Sequence, residues 1–293
     1  MINNLPKISG EYFFNFDTSK ISFMKVGGIC DLLFVPKDIN DLMFFILNKP
    51  QNLPIIIIGN LSNTIVTDRG IRGCCISLKN LNNIKVSDNY LEVECGIIIN
   101  NFIKFCIKNN ISCCEQLYMI PATIGGTLAM NAGTPLFEIK NIVKSIKLLN
   151  LYNGNILTID NSKMVYRNGN LPKYHVAISC TLRIHKMSSN IIQSIVKSII
   201  QKRIETQPIN AKTCGSTFKN PIGYKAWQLI KESGCCRLQI GDAKVSDKHC
   251  NFIINEGKAT STDVINLIKL IREKVFHNTG ILLEPEVKII GEQ

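Results

Sequence analysis

Residues 212–221, KTCGSTFKNP, place a hydroxyl, an ammonium and a carboxamide within five positions: Ser216, Lys219 and Asn220. A serine hydroxyl is a very weak acid, so it can protonate only a strongly basic centre. Lysine and asparagine suit phosphate, sugar or base oxygens. Cys214 could pass for a nucleophile, but a buried, incidental thiol is the reading we favour. A second cluster, YRNG (166–169), sets Arg167 beside the ring of Tyr166. Guanidinium meets a carboxylate with two hydrogen bonds and never deprotonates. LEPEV (283–287) adds Glu284 and Glu286, which alternation puts on one strand face. Each group also has a plain role, as a turn cap, a surface cation or a solvated acid. The single histidine of VSDKHCNF, His249, is of a kind more often structural than basic.

Two further segments could cradle a ligand. One is IIGNLSNTIVTDRGIRG (57–73); the other is MIPATIGGTLAMNAG (119–133). Small residues let an anion approach main-chain N–H groups, and a helix beginning near Gly126 would add its positive end. The same composition also makes ordinary turns beside close-packed helices, and the pattern leaves both readings open. The Rossmann and P-loop fingerprints are missing.

These segments must be held by a sizeable scaffold. At 293 residues the chain exceeds a typical domain, so two domains are expected. No apolar run nears the roughly 20 residues of a membrane span, and no secretory pattern opens the sequence. We therefore expect a cytoplasmic protein with no membrane partner. The net charge of +12 fits an anionic partner, although Lys is abundant throughout. Basic blocks with interleaved aromatics are lacking, which favours a phosphorylated small molecule over nucleic acid. The 12 cysteines include no C-x-x-C; reduced, mostly buried thiols and no metal site are expected.

Periodicity predicts helices over 36–49, 97–110, 188–208 and 224–234, with strands over 53–59 and 90–96. Residues 145–160 read as a hairpin with a two-residue turn at Asn153-Gly154. Residues 260–280 give the strongest helix: Val264, Ile268, Ile271 and Val275 form a stripe. Thr260 with Asp263 forms a capping box, and Gly280 supplies the stop. A strand over 281–290 should follow. Irregular alternation with hairpins predicts an α+β fold, with a boundary before or within the 188–208 helix.

Seven stretches in order, KVGGICDLL, GNLSN, IPATIGG with MNAG, YRNG, GSTFKNP, VSDKHCNFIIN and LEPEV, resemble the UDP-N-acetylenolpyruvoylglucosamine reductases of peptidoglycan synthesis. The similarity spans nearly the whole chain and is to the shorter form, without an inserted tyrosine loop. It implies a PCMH/VAO-type FAD-binding module over 1–187, with subdomains of about 1–80 and 81–187, and an α+β substrate-binding domain over 188–293. It implies FAD and NADPH as cofactors and a monomer. Gly59, Asn60, Ser62 and Asn63 would face Ile120, Pro121, Ala122, Thr123, Gly125 and Gly126 around the flavin diphosphate, with Asn131 and Gly133 beyond.

In the implied reaction, hydride passes from NADPH to FAD, then from flavin N5 to C3 of an enolpyruvyl ether. Arg167 matches the catalytic arginine, Ser216 the donor of a proton to C2, and Glu286 the third catalytic position. Tyr166, Lys219, Asn220 and His249 are implied substrate contacts, with Arg203 and Gln207 as lesser candidates. Leu61 and Ala122 stand where the family has glycine, and Gly169 where it has serine. A Leu61 side chain would crowd the phosphates or force the backbone aside. The alternative is another small-molecule FAD oxidoreductase of the same superfamily, which leaves GSTFKNP and LEPEV unused. A nucleic-acid binder would leave every loop motif idle.

Overall fold

The computed structural model describes residues 4–292, which form two compact units. One combines residues up to Phe14 with Leu32–Asn60 and Gly73–Gln201; the other combines Asn15–Asp31, Leu61–Arg72 and the chain from Lys202 onward. The architecture is α+β, as the pattern predicts.

In the first unit, an antiparallel sheet orders the strands Ile156–Ile159, Val143–Asn150, His175–Arg183, Tyr90–Glu94 and Ile84–Val86. The helix Ile99–Lys108 buries Ile99, Phe102, Ile103 and Cys106 in the same core as Leu91, Val93 and Ile146. A separate core gathers around Phe34, Leu42 and Phe45. There Ile55–Ile58 runs parallel to 74–77, which ends the strand just before Gly59.

The predicted hairpin forms, but its turn is longer than two residues. Leu149 pairs with Ile156, and the Asn150 side chain accepts the N–H groups of Tyr152 and Asn153. That side chain supplies an Asx turn, so Gly154, at φ 71°, closes a wider loop.

The second unit is built on an antiparallel sheet ordered Lys212–Ser216, Phe252–Asn255, Ala243–Val245 and Gln239–Ile240. The helix Ser261–Thr279 forms as its signals predict. Thr260 and Asp263 cap each other reciprocally, Gly280 ends the helix at φ 71°, and the whole Val264–Val275 stripe is buried. Burying such a stripe is what stabilises a helix far beyond its own propensity.

The strand expected over 281–290 is reduced to Lys288–Ile290, which pairs in parallel with Thr64–Val66. Pro285 has no N–H to give a ladder. Instead its neighbours run beside the 217–219 segment before the chain changes partner.

Ten cysteines are free and buried, as expected. Cys236 and Cys250, both partly exposed, instead form a disulfide with their Cα atoms 5.6 Å apart. They meet because the turn after the Ala226–Glu232 helix lies beside the segment leading into Phe252. Among the described residues no helix is long and apolar enough to cross a membrane.

Candidate active site

The first unit brings the two small-residue loops together. Asn60 donates from Nδ2 to the Pro121 carbonyl at 2.7 Å. A Cβ on Gly59 would lie 3.1 Å from Thr123 Oγ1, so the strand end and the second loop nearly touch. Thr123 caps the helix Ile124–Met130, its Oγ1 accepting the Gly126 N–H.

That helix begins two residues before Gly126, and its first N–H groups are already engaged. Ile124 donates to Ile97 and Gly125 to Cys95, both at 2.8 Å. The helix end therefore offers little to an anion. The available donors lie in the loops: the N–H groups of Gly59, Asn60, Ala122 and Thr123 make no hydrogen bond among the described residues. Consecutive unpaired amides of this kind form an anion-binding concavity. A cavity of about 170 Å³ opens beside Gly59, Thr123 and Gly126, with Lys79 and His175 also on its wall. Amide donors and a cation suit the diphosphate of a dinucleotide such as FAD, so these residues fit that group.

Leu61 resolves the conflict its side chain poses. Its backbone takes the left-handed conformation at φ 46°, where glycine is ordinarily favoured, and its side chain is buried. The neighbouring N–H groups of Leu61, Ser62 and Asn63 are likewise without acceptors among the described residues. Asn63 also donates from Nδ2 to the Glu286 carbonyl at 3.2 Å.

Asn131 is buried in the first unit and its amide is fully used. Nδ2 donates to Glu138 and to the Val165 carbonyl, while Oδ1 accepts from the Lys140 N–H. It ties the 131–133 corner to the YRNG turn. There Val165 and Asn168 exchange two backbone hydrogen bonds, leaving Tyr166 and Arg167 at the tip. Arg167 sits at φ 55°, donates from Nη2 to the Gly133 carbonyl at 3.0 Å, and stacks 5.0 Å from the Tyr166 ring centre. Gly169 donates to the Ala129 carbonyl, and a Cβ there would stand 2.1 Å from the Leu128 carbonyl oxygen. Serine at this position would have to push the backbone of the turn and the helix end apart.

In the second unit, Ser216 ends its strand opposite Phe252, after an irregularity that begins at Thr213. Gly215 holds φ 77° inside it, a conformation an L side chain rarely takes. Ser216 is half-buried, and its hydroxyl makes no hydrogen bond among the described residues. Glu286 lies next to it in the fold: the Glu286 N–H donates to the Thr217 carbonyl at 2.8 Å. Lys219 joins the same pairing through the Glu284 carbonyl, and its ammonium meets the Glu284 carboxylate at 2.5 Å. Of the two acids, the exposed Glu284 thus holds the lysine.

Asn220 caps the next helix by accepting the Ala226 N–H. His249 accepts the Asn251 N–H at Nδ1, and burial lowers its pKa, so the ring is neutral at neutral pH. Arg203 reaches Gln207 at 3.3 Å, and burial lowers its pKa too. The Cys214 thiol is pushed up to about 12 by burial, which excludes a thiolate nucleophile.

The sequence reading passes over Asn251, whose side chain bonds both main-chain polar groups of Phe218. In sequence it is only an amide directly before the apolar run Phe252–Ile254, which does not mark it. Tyr166, Arg167 and most loop residues thus belong to the first unit. Ser62, Asn63, Ser216, Lys219, Asn220, His249 and Glu286 belong to the second.

Comparison with known proteins finds two family models along the chain. Residues 31–160 match the family model described as FAD binding domain. Residues 207–290 match that of the UDP-N-acetylenolpyruvoylglucosamine reductase C-terminal domain. The chain is 41% identical over 291 residues to the UDP-N-acetylenolpyruvoylglucosamine reductase of Rickettsia akari (strain Hartford), covering 98% of each. The protein of that name from Orientia tsutsugamushi (strain Ikeda) is 40% identical, over 99% of this chain and 98% of its own. The crystal structure of the reductase from Thermus caldophilus superposes with a TM-score of 0.82 at 25% identity, over 97% of this chain and 99% of that one. The chain belongs to the UDP-N-acetylenolpyruvoylglucosamine reductase family.

Proposed function

We propose that this chain reduces UDP-N-acetylenolpyruvoylglucosamine to UDP-N-acetylmuramate with electrons from NADPH, as a step of peptidoglycan synthesis. The observation that carries the reading lies in the second unit. The serine and glutamate matching the family's catalytic positions lie on segments joined by a hydrogen bond at Thr217, inside the region that matches the reductase-specific domain. An oxidase sharing only the flavin module would have no use for that pairing.

Bound at the loop amides of Gly59, Asn60, Ala122 and Thr123, FAD would supply hydride, drawn from NADPH, to C3 of the enolpyruvyl group. Negative charge then gathers at C2 and in the attached carboxylate. Arg167 holds that carboxylate, since a fixed, permanently charged fork stabilises charge as it develops. The Ser216 hydroxyl delivers its proton to C2, completing the saturated lactyl ether, and Glu286 orients or relays at the same segment. Tyr166, Lys219, Asn220 and His249 contact the sugar nucleotide. In this reading 1–187 forms the FAD-binding module, which also lends Tyr166 and Arg167 to the substrate, and 188–293 forms the substrate-binding domain, in a monomeric cytoplasmic enzyme.

The test is spectroscopic. The purified protein should be yellow, bleach with NADPH in the absence of oxygen, and regain colour on adding the enolpyruvyl sugar nucleotide. Colour restored only by oxygen would assign it instead to the small-molecule oxidases. A colourless protein that binds nucleic acid in a salt-sensitive way would reject both.

A further inference from the structure

We propose that Asn251 is the positioning residue for proton delivery, acting through the main chain that carries Ser216. The proposal rests on the reductase reading above. Asn251 is 4% exposed and directs its whole amide at one residue. Its Nδ2 donates to the Phe218 carbonyl at 2.8 Å, and its Oδ1 accepts the Phe218 N–H at 3.0 Å. Its own carbonyl accepts the Thr217 N–H at 2.8 Å, and its N–H donates to His249 Nδ1 at 3.2 Å.

The need for such a clamp follows from the sheet. The ladder between Lys212–Ser216 and Phe252–Asn255 is broken around Gly215 and stops at the Ser216–Phe252 pair. Past that point the segment has no strand on this side, and the Asn251 side chain stands in for one. On the other side the Thr217 carbonyl accepts from Glu286, and Lys219 donates to the Glu284 carbonyl. Ser216 is therefore suspended between a left-handed glycine and the residue clamped by Asn251. Movement of the Ser216 hydroxyl by about 1 Å is enough to slow a proton transfer roughly 100-fold.

The experiment separates the two half-reactions in rapid-mixing absorbance measurements. Asn251→Asp keeps the side-chain shape and the acceptor for the Phe218 N–H, but turns the donor facing the Phe218 carbonyl into an acceptor. Flavin content and reduction by NADPH should match the parent, while reoxidation by the enolpyruvyl sugar nucleotide slows about 100-fold. The double variant with Ser216→Ala should be no slower than Ser216→Ala alone, because Asn251 acts through that hydroxyl.

Equal slowing of both half-reactions, or effects that multiply in the double variant, would overturn the role. If Asn251→Asp yields no yellow protein, Asn251→Ser is judged by the same two criteria. Parental flavin that stays bleached with the sugar nucleotide would sink the reductase reading itself, and this role with it.

Discussion

Serine at position 169, which the resemblance to the family implies, should harm this protein. The added Cβ would stand 2.1 Å from the Leu128 carbonyl oxygen, 3.0 Å from its carbon and 3.1 Å from the Ala129 oxygen. Carbon–oxygen contacts normally stay beyond about 3.3 Å, so the turn and the end of the 124–130 helix must part by about 1 Å. All three obstacles are backbone, and no side chain can swing aside. Overpacking of this kind costs about 1–3 kcal/mol, and the Gly169–Ala129 hydrogen bond adds about 1 kcal/mol if it breaks. Gly169→Ala and Gly169→Ser should both unfold earlier, by about 2–4 kcal/mol in a denaturant titration. Because Arg167 lies two residues away, reoxidation by the sugar nucleotide should also slow more than reduction by NADPH. A Gly169→Ser protein as stable as the parent would refute the contact argument.

Ser216→Ala should leave reduction by NADPH intact while reoxidation by the sugar nucleotide slows about 10²–10⁴-fold, the usual range for a lost general acid; equal slowing of both would remove the serine from the proton path. Arg167→Lys should likewise damage the second half-reaction, because one ammonium cannot reproduce a two-pronged carboxylate contact; unchanged turnover would remove that role. Asp68→Ala should cost about 0.5–1 kcal/mol at neutral pH, the lower half of the range for a cap, because the carboxylate is exposed. Its carboxylate accepts the Ser261 and Thr262 N–H groups and the Thr262 hydroxyl. Burial pushes the Asp68 pKa upward, but these hydrogen bonds outweigh it and leave the pKa lowered. The stabilisation is therefore present above the ordinary carboxylate range and lost as pH falls through the folded-state value. Acid titration of parent and variant should show their stabilities converging at low pH.

Local chemistry was readable; choice of distant partners was not. The 261–279 helix announced its start, stop and buried face because each signal lies within a turn of the residue it controls. At Leu61 the sequence leaves two outcomes open, crowding or a displaced backbone, and the left-handed backbone with a buried side chain is the second. The 281–290 strand failed for a different reason. Pro285 forbids a continuous ladder, and its neighbours pair with residues more than 60 positions away. Asn251 was missed on the same ground: its importance lies in the Phe218 main chain it holds, and nothing adjacent in sequence marks that. The reverse held for the YRNG turn, whose glycine was noticed as a departure, although its cause, the approach of two backbones, is visible only in three dimensions.

The second unit takes its pieces from both ends of the chain, and this dictates an order of events during synthesis. Met24, Val26 and Ile65 lie in the same core as Leu267 and Ile271. Asn255 donates to the Met24 carbonyl, and Lys288–Ile290 completes its pairing only on Thr64–Val66. The ribosome therefore releases the early segments well before the residues that will enclose them exist. A gene fragment starting near residue 202 would encode a core lacking part of its own wall. Anyone seeking to express that portion separately should graft 15–31 and 61–72 onto it, since the unit can close only when chain from both termini is present.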